Sequence, residues 1–418
     1  MIKLLGWFDY ACQTGFAQVS RNVLSNLHDT GDFKIDVVGI NYDGDPYDMD
    51  KWVGRVYPAM RGRMLRGSYA DVFGRQRVLD LLAENDYDVL FMIQDTFVTK
   101  DFIDPVVETC KVTGTKIVYY FPIDSQPHPS WVTDVVSKVH YPITYTQYAK
   151  SQCLRYDPSL ADRLEVIYHG TNTSEYFYSS EDPTAFRKLY FKDNADKFII
   201  MNLNRNQPRK DILRSLLIQK QLLECGENTF LYLHMDGNDV GGDVDQWAEQ
   251  LGLMYGEHYA FPTNFGEGVS TELVNQLYNS VDCLLTTTHG EGWGLSLTEA
   301  MATKLPIVAP DNTSISEILG SNRGYLIPSG ETNNDWYTQG DGDNNRLRPL
   351  MNVDAACNAI QQLVDGQKPD VEAAYLWAIS QDWATITKQF ERIIRKAVAP
   401  QAPAFTPNRQ QRRKAKVK

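Results

Sequence analysis

At 418 residues the chain is long for one domain and comfortable for two, each able to bury its own core. A formal net charge of −12 argues against a wholly basic nucleic-acid-binding surface, and no apolar run approaches the length of a membrane span. Six cysteines lie scattered without CxxC spacing, which argues against a disulfide framework or a zinc site.

In chain order, residues 2–8 read as a first strand rather than a signal peptide, so a cytoplasmic location is expected. Residues 9–15 form a loop, and 16–27 a helix with an apolar stripe at Phe16, Val19, Val23 and Leu27. Residues 34–40, 88–93 and 116–121 are further strands, so strand and helix alternate. Asp43-Gly44-Asp45 and Asp341-Gly342-Asp343 read as solvated turns, far from any phosphate loop, and no required metal is expected. The basic run 61–75, with Arg61, Arg63, Arg66 and Arg75, reads as a solvated face, with contact to an anionic acceptor as the alternative. The loop 122–131, with Asp124 and His128, follows a strand's C-terminal end, the edge at which open α/β sheets bind ligands.

A polar linker at 179–183 precedes a second series of elements. It opens with strand 198–203, a loop carrying Arg205, Arg209 and Lys210, and an amphipathic helix at 212–223. Residues 230–235 and 259–261 give more strands. Residues 281–287 read as a buried strand, Gly290, Gly292 and Gly294 punctuate a turn, 295–303 favour helix, and 306–309 form the next strand. This is a parallel β/α unit whose glycines let backbone approach a ligand closely. Its helix start, with unpaired N–H groups and a positive dipole end, suits a phosphate. Glu291 and Glu299 bracket the turn, with seven residues between them. Carboxylates beside a diphosphate are suited to accept from hydroxyl groups of a sugar or ribose. Residues 333–347 read as a surface insertion, and 371–398 as one long helical pattern.

Glu291-(seven residues)-Glu299 encloses Gly292-Trp293-Gly294-Leu295. It continues through Glu299-Ala300-Met301-Ala302, Leu305-Pro306-Ile307-Val308-Ala309 and Glu317-Ile318. This pattern resembles the signature of retaining GT-B glycosyltransferases, the family of bacterial mannosyl- and glucosyltransferases and of the sucrose and glycogen synthase relatives. Lys304 stands where a glycine is usual, and Thr313-Ser314 replaces the common glycine pair.

The resemblance implies an α/β GT-B fold of two doubly wound Rossmann-like domains facing a cleft. The expected organisation is an acceptor-side domain at 1–178, a nucleotide-sugar domain at 179–370, a helical segment returning to the first domain at 371–398, and a disordered basic tail at 399–418. It implies a sugar moved from a nucleotide-diphosphate sugar, such as a UDP- or GDP-sugar, to an acceptor with retention. No cofactor is expected, because the nucleotide sugar is itself a substrate. Gly15, Arg205, Lys210, Gly292, Trp293, Gly294, Leu295 and Glu299 would bind the donor, Glu299 through the ribose hydroxyls. Glu291, Arg205, Lys210 and Asp124 would form the catalytic set. Arg205 and Lys210, five apart, match the family's paired cations, with Arg209 able to substitute for either. Asp124 lies where the family often has a cleft histidine, with His128 the other candidate. Losing Arg205 or Lys210 would cost at least ~10²-fold in rate, the scale of one preorganised stabilising group.

The alternatives are a sugar-nucleotide epimerase or other GT-B enzyme such as a phosphorylase, a transferase acting on modified phage-type DNA, and a non-catalytic sugar- or nucleic-acid-binding protein. The DNA reading draws on the acid-free tail, where Arg409, Arg412, Arg413, Lys414, Lys416 and Lys418 suit contact with a polyanion.

Overall fold

The computed structural model describes residues 1–44, 53–60, 71–263 and 268–400. Expectations placed on Asp45, on Arg61, Arg63 and Arg66, and on the tail cations Arg409 to Lys418 lie outside the described residues.

The first sheet comprises β1 (Ile2–Asp9), β2 (Phe33–Ile40), β3 (Arg55–Pro58), β4 (Val89–Ile93), β5 (Lys116–Phe121), β6 (Tyr141–Thr144) and β7 (Glu165–Val166). It runs β3-β2-β1-β4-β5-β6-β7 with every pairing parallel. The second sheet draws on β8 (Phe198–Asn202) and β9 (Thr229–Leu233). A small ribbon of β10 (Asn238–Asp239) and β11 (Gly242–Asp243) follows, and then β12 (Tyr259–Ala260), β13 (Cys283–Leu285), β14 (Ile307–Pro310) and β15 (Tyr325–Ile327) rejoin the sheet. Its order is β12-β9-β8-β13-β14-β15, again wholly parallel. A second ribbon pairs β16 (Trp336–Tyr337) with β17 (Arg348–Pro349).

Parallel strands covered by helices on both faces bury nearly every side chain, which explains why β4 and β9 read as continuous apolar runs instead of alternating ones. In each sheet the winding reverses once, between β1 and β4 and between β8 and β13. Such reversals open a crevice at the strands' C-terminal ends. The two loop sets at these crevices meet, and that meeting locates the site.

The expected single helix at 371–398 is broken in two, Val371–Ser380 and Trp383–Val398. Asp382 is the reason. Its Oδ1 accepts from the Ala384 amide at 2.8 Å to start the second helix, and its Oδ2 accepts from Thr173 Oγ1 at 2.7 Å. The Thr171 amide donates to Gln381 O, tying the break to the first domain. The first helix packs on the Leu295–Ala302 helix, and the second crosses to β4 and β5. There Phe390 meets Phe91 and Tyr120. A Cβ at Gly170 would lie 2.3 Å from the Trp383 ring, so only glycine permits this crossing.

The segment 333–347 lies at the surface over most of its length, as expected, with Asp343 its one buried residue. Beyond its 3-10 turn, Gly340–Asp343, Arg346 and the ribbon residue Arg348 nevertheless reach Asp124 of the first domain, with Asp343 and Arg348 both buried. Asp343 is accordingly no solvated turn residue. Among the described residues no helix is long and apolar enough to cross a membrane.

Candidate active site

The turn after β13 is stitched to the loop after β8 before any ligand is considered. Thr287 Oγ1 donates to the carbonyls of Lys210 and Asp211 at 3.0 and 2.9 Å, and the His289 amide donates to Arg209 O at 2.8 Å. His289 Nε2 lies 2.9 Å from Asp211 Oδ2. These bonds bring two cations over one carboxylate. Lys210 Nζ lies 2.5 Å from Glu291 Oε1, and Arg209 Nη1 lies 3.1 Å from the same oxygen. Arg209 Nη1 also donates to Gly290 O.

Burial alone would raise the Glu291 pKa, but Arg209 and Lys210 outweigh it and hold the carboxyl down at about 2. For Lys210, burial dominates and lowers the pKa to about 8; Glu291 pulls it back up, while Arg209 pushes it further down. Two cations sharing one carboxylate keep the acid ionised and make the amine the group that yields first.

Glu299 sits about one turn into the Leu295–Ala302 helix in a different environment. Burial raises its pKa to about 7, opposed by hydrogen bonds from Tyr278 OH at 2.8 Å and Gln18 Nε2 at 3.5 Å. Gln18 belongs to the Gly15–Asp29 helix of the first domain, so this acid already faces the opposing half of the cleft. Gly294, at φ 102°, takes the left-handed N-cap position of the Leu295–Ala302 helix, a conformation that favours glycine. A Cβ at Gly15 would lie 3.5 Å from Leu295 Cδ1, which sets the two glycine loops against each other.

The two departures from the family pattern fall at left-handed positions, Lys304 at φ 59° and Thr313 at φ 47°. The hydroxyls at 313–314 have work that glycines lack. Thr313 Oγ1 accepts from the Glu291 amide at 2.9 Å, and Ser314 Oγ donates to the carbonyls of Glu291 and Trp293 at 2.9 and 2.8 Å.

Three expected site residues are placed differently. Arg205 turns outward and pairs with Asp239 on the β10–β11 ribbon at 2.6 Å, with its side chain 61% exposed. Arg209, the weighed substitute, stands beside Lys210 in its stead. The reason is local: Lys210 and Arg209 occupy the 3-10 turn Pro208–Lys210 directly under the glycine turn, whereas Arg205 precedes it. Trp293 is only 3% exposed, with its indole against Tyr168, His169 and Trp377, so its backbone is what remains for a ligand.

Asp124 is not a free cleft acid. Its carboxylate lies 2.7 Å from Arg346 Nη1, 3.2 Å from Arg348 Nη2 and 3.5 Å from Arg209 Nε, and its carbonyl accepts from Arg348 Nη1 at 2.9 Å. Asp343 supports both arginines, lying 2.5 Å from Arg348 Nε. Burial opposes ionisation of Asp124, yet the three guanidiniums hold its pKa below the ordinary carboxylate range. His128 is exposed and caps the Pro129–Thr133 helix, accepting from the Ser130 amide at 3.3 Å.

Sequence reasoning missed Asp343, Arg346 and Arg348, whose spacing in a polar stretch gives no sign of their partners. It also missed Glu317 as a tie. From the second domain, Glu317 accepts from the amides of Gln147 and Tyr148 at 3.0 and 3.1 Å, capping the first-domain helix Gln147–Leu154.

Gly290 and Gly292 serve this approach of the two halves as much as any ligand. A Cβ at Gly290 would lie 2.2 Å from Asp124 O, and one at Gly292 would lie 2.5 Å from Pro122 Cβ. Gly292→Ala is therefore expected to push the halves apart and lower the melting temperature by several degrees, the response to overpacking of ~1–3 kcal/mol. An unchanged melting curve in differential scanning calorimetry would refute this.

The architecture is the GT-B fold, and residues 190–336 match the family model described as Glycosyl transferases group 1. A curated relative, "Probable sucrose-phosphate synthase" of Thermosipho melanesiensis, is 26% identical over 190 residues, 44% of this chain and 41% of that protein. The chain thus matches about two fifths of that relative's length. Among solved structures, Anabaena Alr3699/HepE in complex with UDP and glucose superposes with a TM-score of 0.68 at 17% identity, over 95% of this chain and 100% of that one. The sucrose-phosphate synthase of Thermosynechococcus elongatus gives 0.70 at 14%, over 96% and 100%.

Proposed function

We propose that this protein transfers a sugar from a nucleoside-diphosphate sugar to an acceptor hydroxyl with retention of anomeric configuration. The observation that carries the reading is the convergence of Arg209, Lys210 and Glu291 on a glycine turn at a helix start, opposite Gly15. In this proposal the diphosphate lies at that helix start. Arg209 and Lys210 neutralise the charge that develops on it as the bond from the anomeric carbon to phosphate oxygen breaks, while backbone N–H groups of 292–295 add to the field. Arg205 would join them by leaving Asp239. The acceptor oxygen attacks the same face of the oxocarbenium-like sugar and passes its proton to the departing phosphate oxygen, so no side-chain nucleophile is required. Glu291 accepts from hydroxyls of the transferred sugar, and Glu299 from those of the ribose.

UDP-glucose is the first donor to test, because HepE is described in complex with it. Incubating the full chain with UDP-, GDP- and ADP-sugars should give slow nucleoside-diphosphate release, accelerated by a competent acceptor. No release and no binding with any donor would overturn the reading. Anomeric NMR of the product would decide retention.

A pH dependence follows from Lys210. The protonated amine binds the diphosphate, and with its pKa near 8 the charge is present below that pH and lost above it. Donor kcat/KM should therefore decline as pH rises through about 8. In Lys210→Arg, whose guanidinium keeps its proton, this alkaline limb should vanish. A limb persisting unchanged in that variant would assign it elsewhere.

A further inference from the structure

This inference rests on the glycosyltransferase reading and concerns the other substrate. Between the loop after β5 and the β16–β17 ribbon lies a cleft of about 730 Å³. Its first-domain wall offers Gln126, Gln152 and Tyr156, and its second-domain wall offers Trp336, Asn344 and Asn345. The ribbon's alternation gives consecutive residues opposite faces. Trp336 lines this cleft, while Tyr337 lines a neighbouring hollow and lies 5.4 Å from the His289 ring.

Trp336 is 46% exposed, yet it is not loose: a Cβ on Gly330 would lie 2.9 Å from its Cζ2, so the indole rests on that glycine. A backed indole open to a concave site presents a flat apolar face, suited to the C–H face of a sugar ring. Carboxamides donate and accept at once, which matches adjacent hydroxyls. The charges of the lining are of both signs, and the most enclosed of them is paired. Arg346 is committed to Asp124 and Asp343, and Arg155, exposed, donates to Gln152 at 3.0 Å. A phosphorylated ligand would find Arg346 already committed and, besides the exposed Arg155, an exposed carboxylate at Asp311 in the same lining.

We propose that the 333–349 segment of the second domain builds the acceptor wall, and that the acceptor is a neutral saccharide stacked on Trp336. The test uses the full chain as wild type, Trp336→Ala and Trp336→Phe. Saturation-transfer NMR is run with millimolar maltose, lactose, sucrose, chitobiose and glucose 6-phosphate, and UDP-glucose affinity is measured in parallel. At least one neutral disaccharide should bind the wild type, bind at least ~10-fold more weakly in Trp336→Ala, and recover partly in Trp336→Phe. The loss should fall on the saccharide and not on UDP-glucose.

Equal saccharide binding in all three proteins, binding of the 6-phosphate alone, or no saccharide binding to the wild type overturns the proposal. These outcomes differ from failure of the transferase reading, which shows as absence of nucleotide-sugar binding and turnover in the wild type whatever the saccharides do.

Discussion

Replacing Lys210 or Arg209 with alanine is expected to lower nucleotide-sugar turnover at least ~10²-fold, the scale seen when one preorganised stabilising group is removed. Both side chains converge on Glu291 Oε1, at 2.5 and 3.1 Å, within the glycine turn. Losing either therefore has two effects. It removes a cation from the expected leaving group, and it reduces the charge holding Glu291 ionised. The second effect has its own signature: the Glu291 pKa, held at about 2, should rise, and an acid limb in the pH–rate profile should move upward with it. Arg205→Ala should cost less than Arg209→Ala, because Arg205 is exposed and paired with Asp239. Steady-state and single-turnover rates on UDP-glucose measure all three. A larger loss for Arg205→Ala would mean that Arg205, once released from Asp239, is the principal cation.

The second large effect is expected at Asp124. Alanine there leaves Arg346, Arg348 and Arg209 facing one another with one carboxylate fewer, and Arg348 is only 1% exposed. Breaking a buried pair by removing one partner typically costs ~3–5 kcal/mol, because the remaining charge stays uncompensated. Asp343 remains to share the load, so Asp124→Ala should fall at the lower end, about 3 kcal/mol. Asp124→Asn should be milder, since it keeps an acceptor oxygen. Urea denaturation of the three proteins gives the comparison, and an unchanged midpoint for the alanine variant would refute the tie.

The pH sense is fixed by the sign of the shift. Asp124 and Glu291 have folded pKa values below the unfolded ones, so their stabilisation is present above about pH 4 and lost as pH falls through the folded values. Stability should therefore decline on acidification below about pH 4, and less steeply in Asp124→Asn.

This cluster reframes the 333–349 segment. Read as sequence it is polar and punctuated by Asp and Asn, the composition of a surface loop. In the structure it carries three charges that pair with one another, two of which, Arg346 and Arg348, also reach Asp124 of the first domain, and the same segment supplies Trp336 to the cleft.

The sequence by itself determined what depends on local chemistry. The buried runs at 89–93 and 283–285 read as parallel strands because both their faces are covered. The spacing of Glu291 and Glu299 around Gly292 and Gly294 marked the β/α turn, since few residues but glycine adopt the φ of 102° found at Gly294. Tertiary structure alone decided how charges were shared. Arg205 and Arg209 are equivalent cations in a loop, and only the fold of the Pro208–Lys210 turn beneath Thr287 and His289 points one inward and leaves the other to Asp239. Asp124 is likewise a loop acid until three guanidiniums from distant positions close on it. The break at Asp382 needs Thr171 and Thr173 from the first domain. Propensity and glycine geometry act over a few residues and can be read along a chain. Ion pairing and capping between segments far apart in the chain depend on distances that only the folded chain fixes.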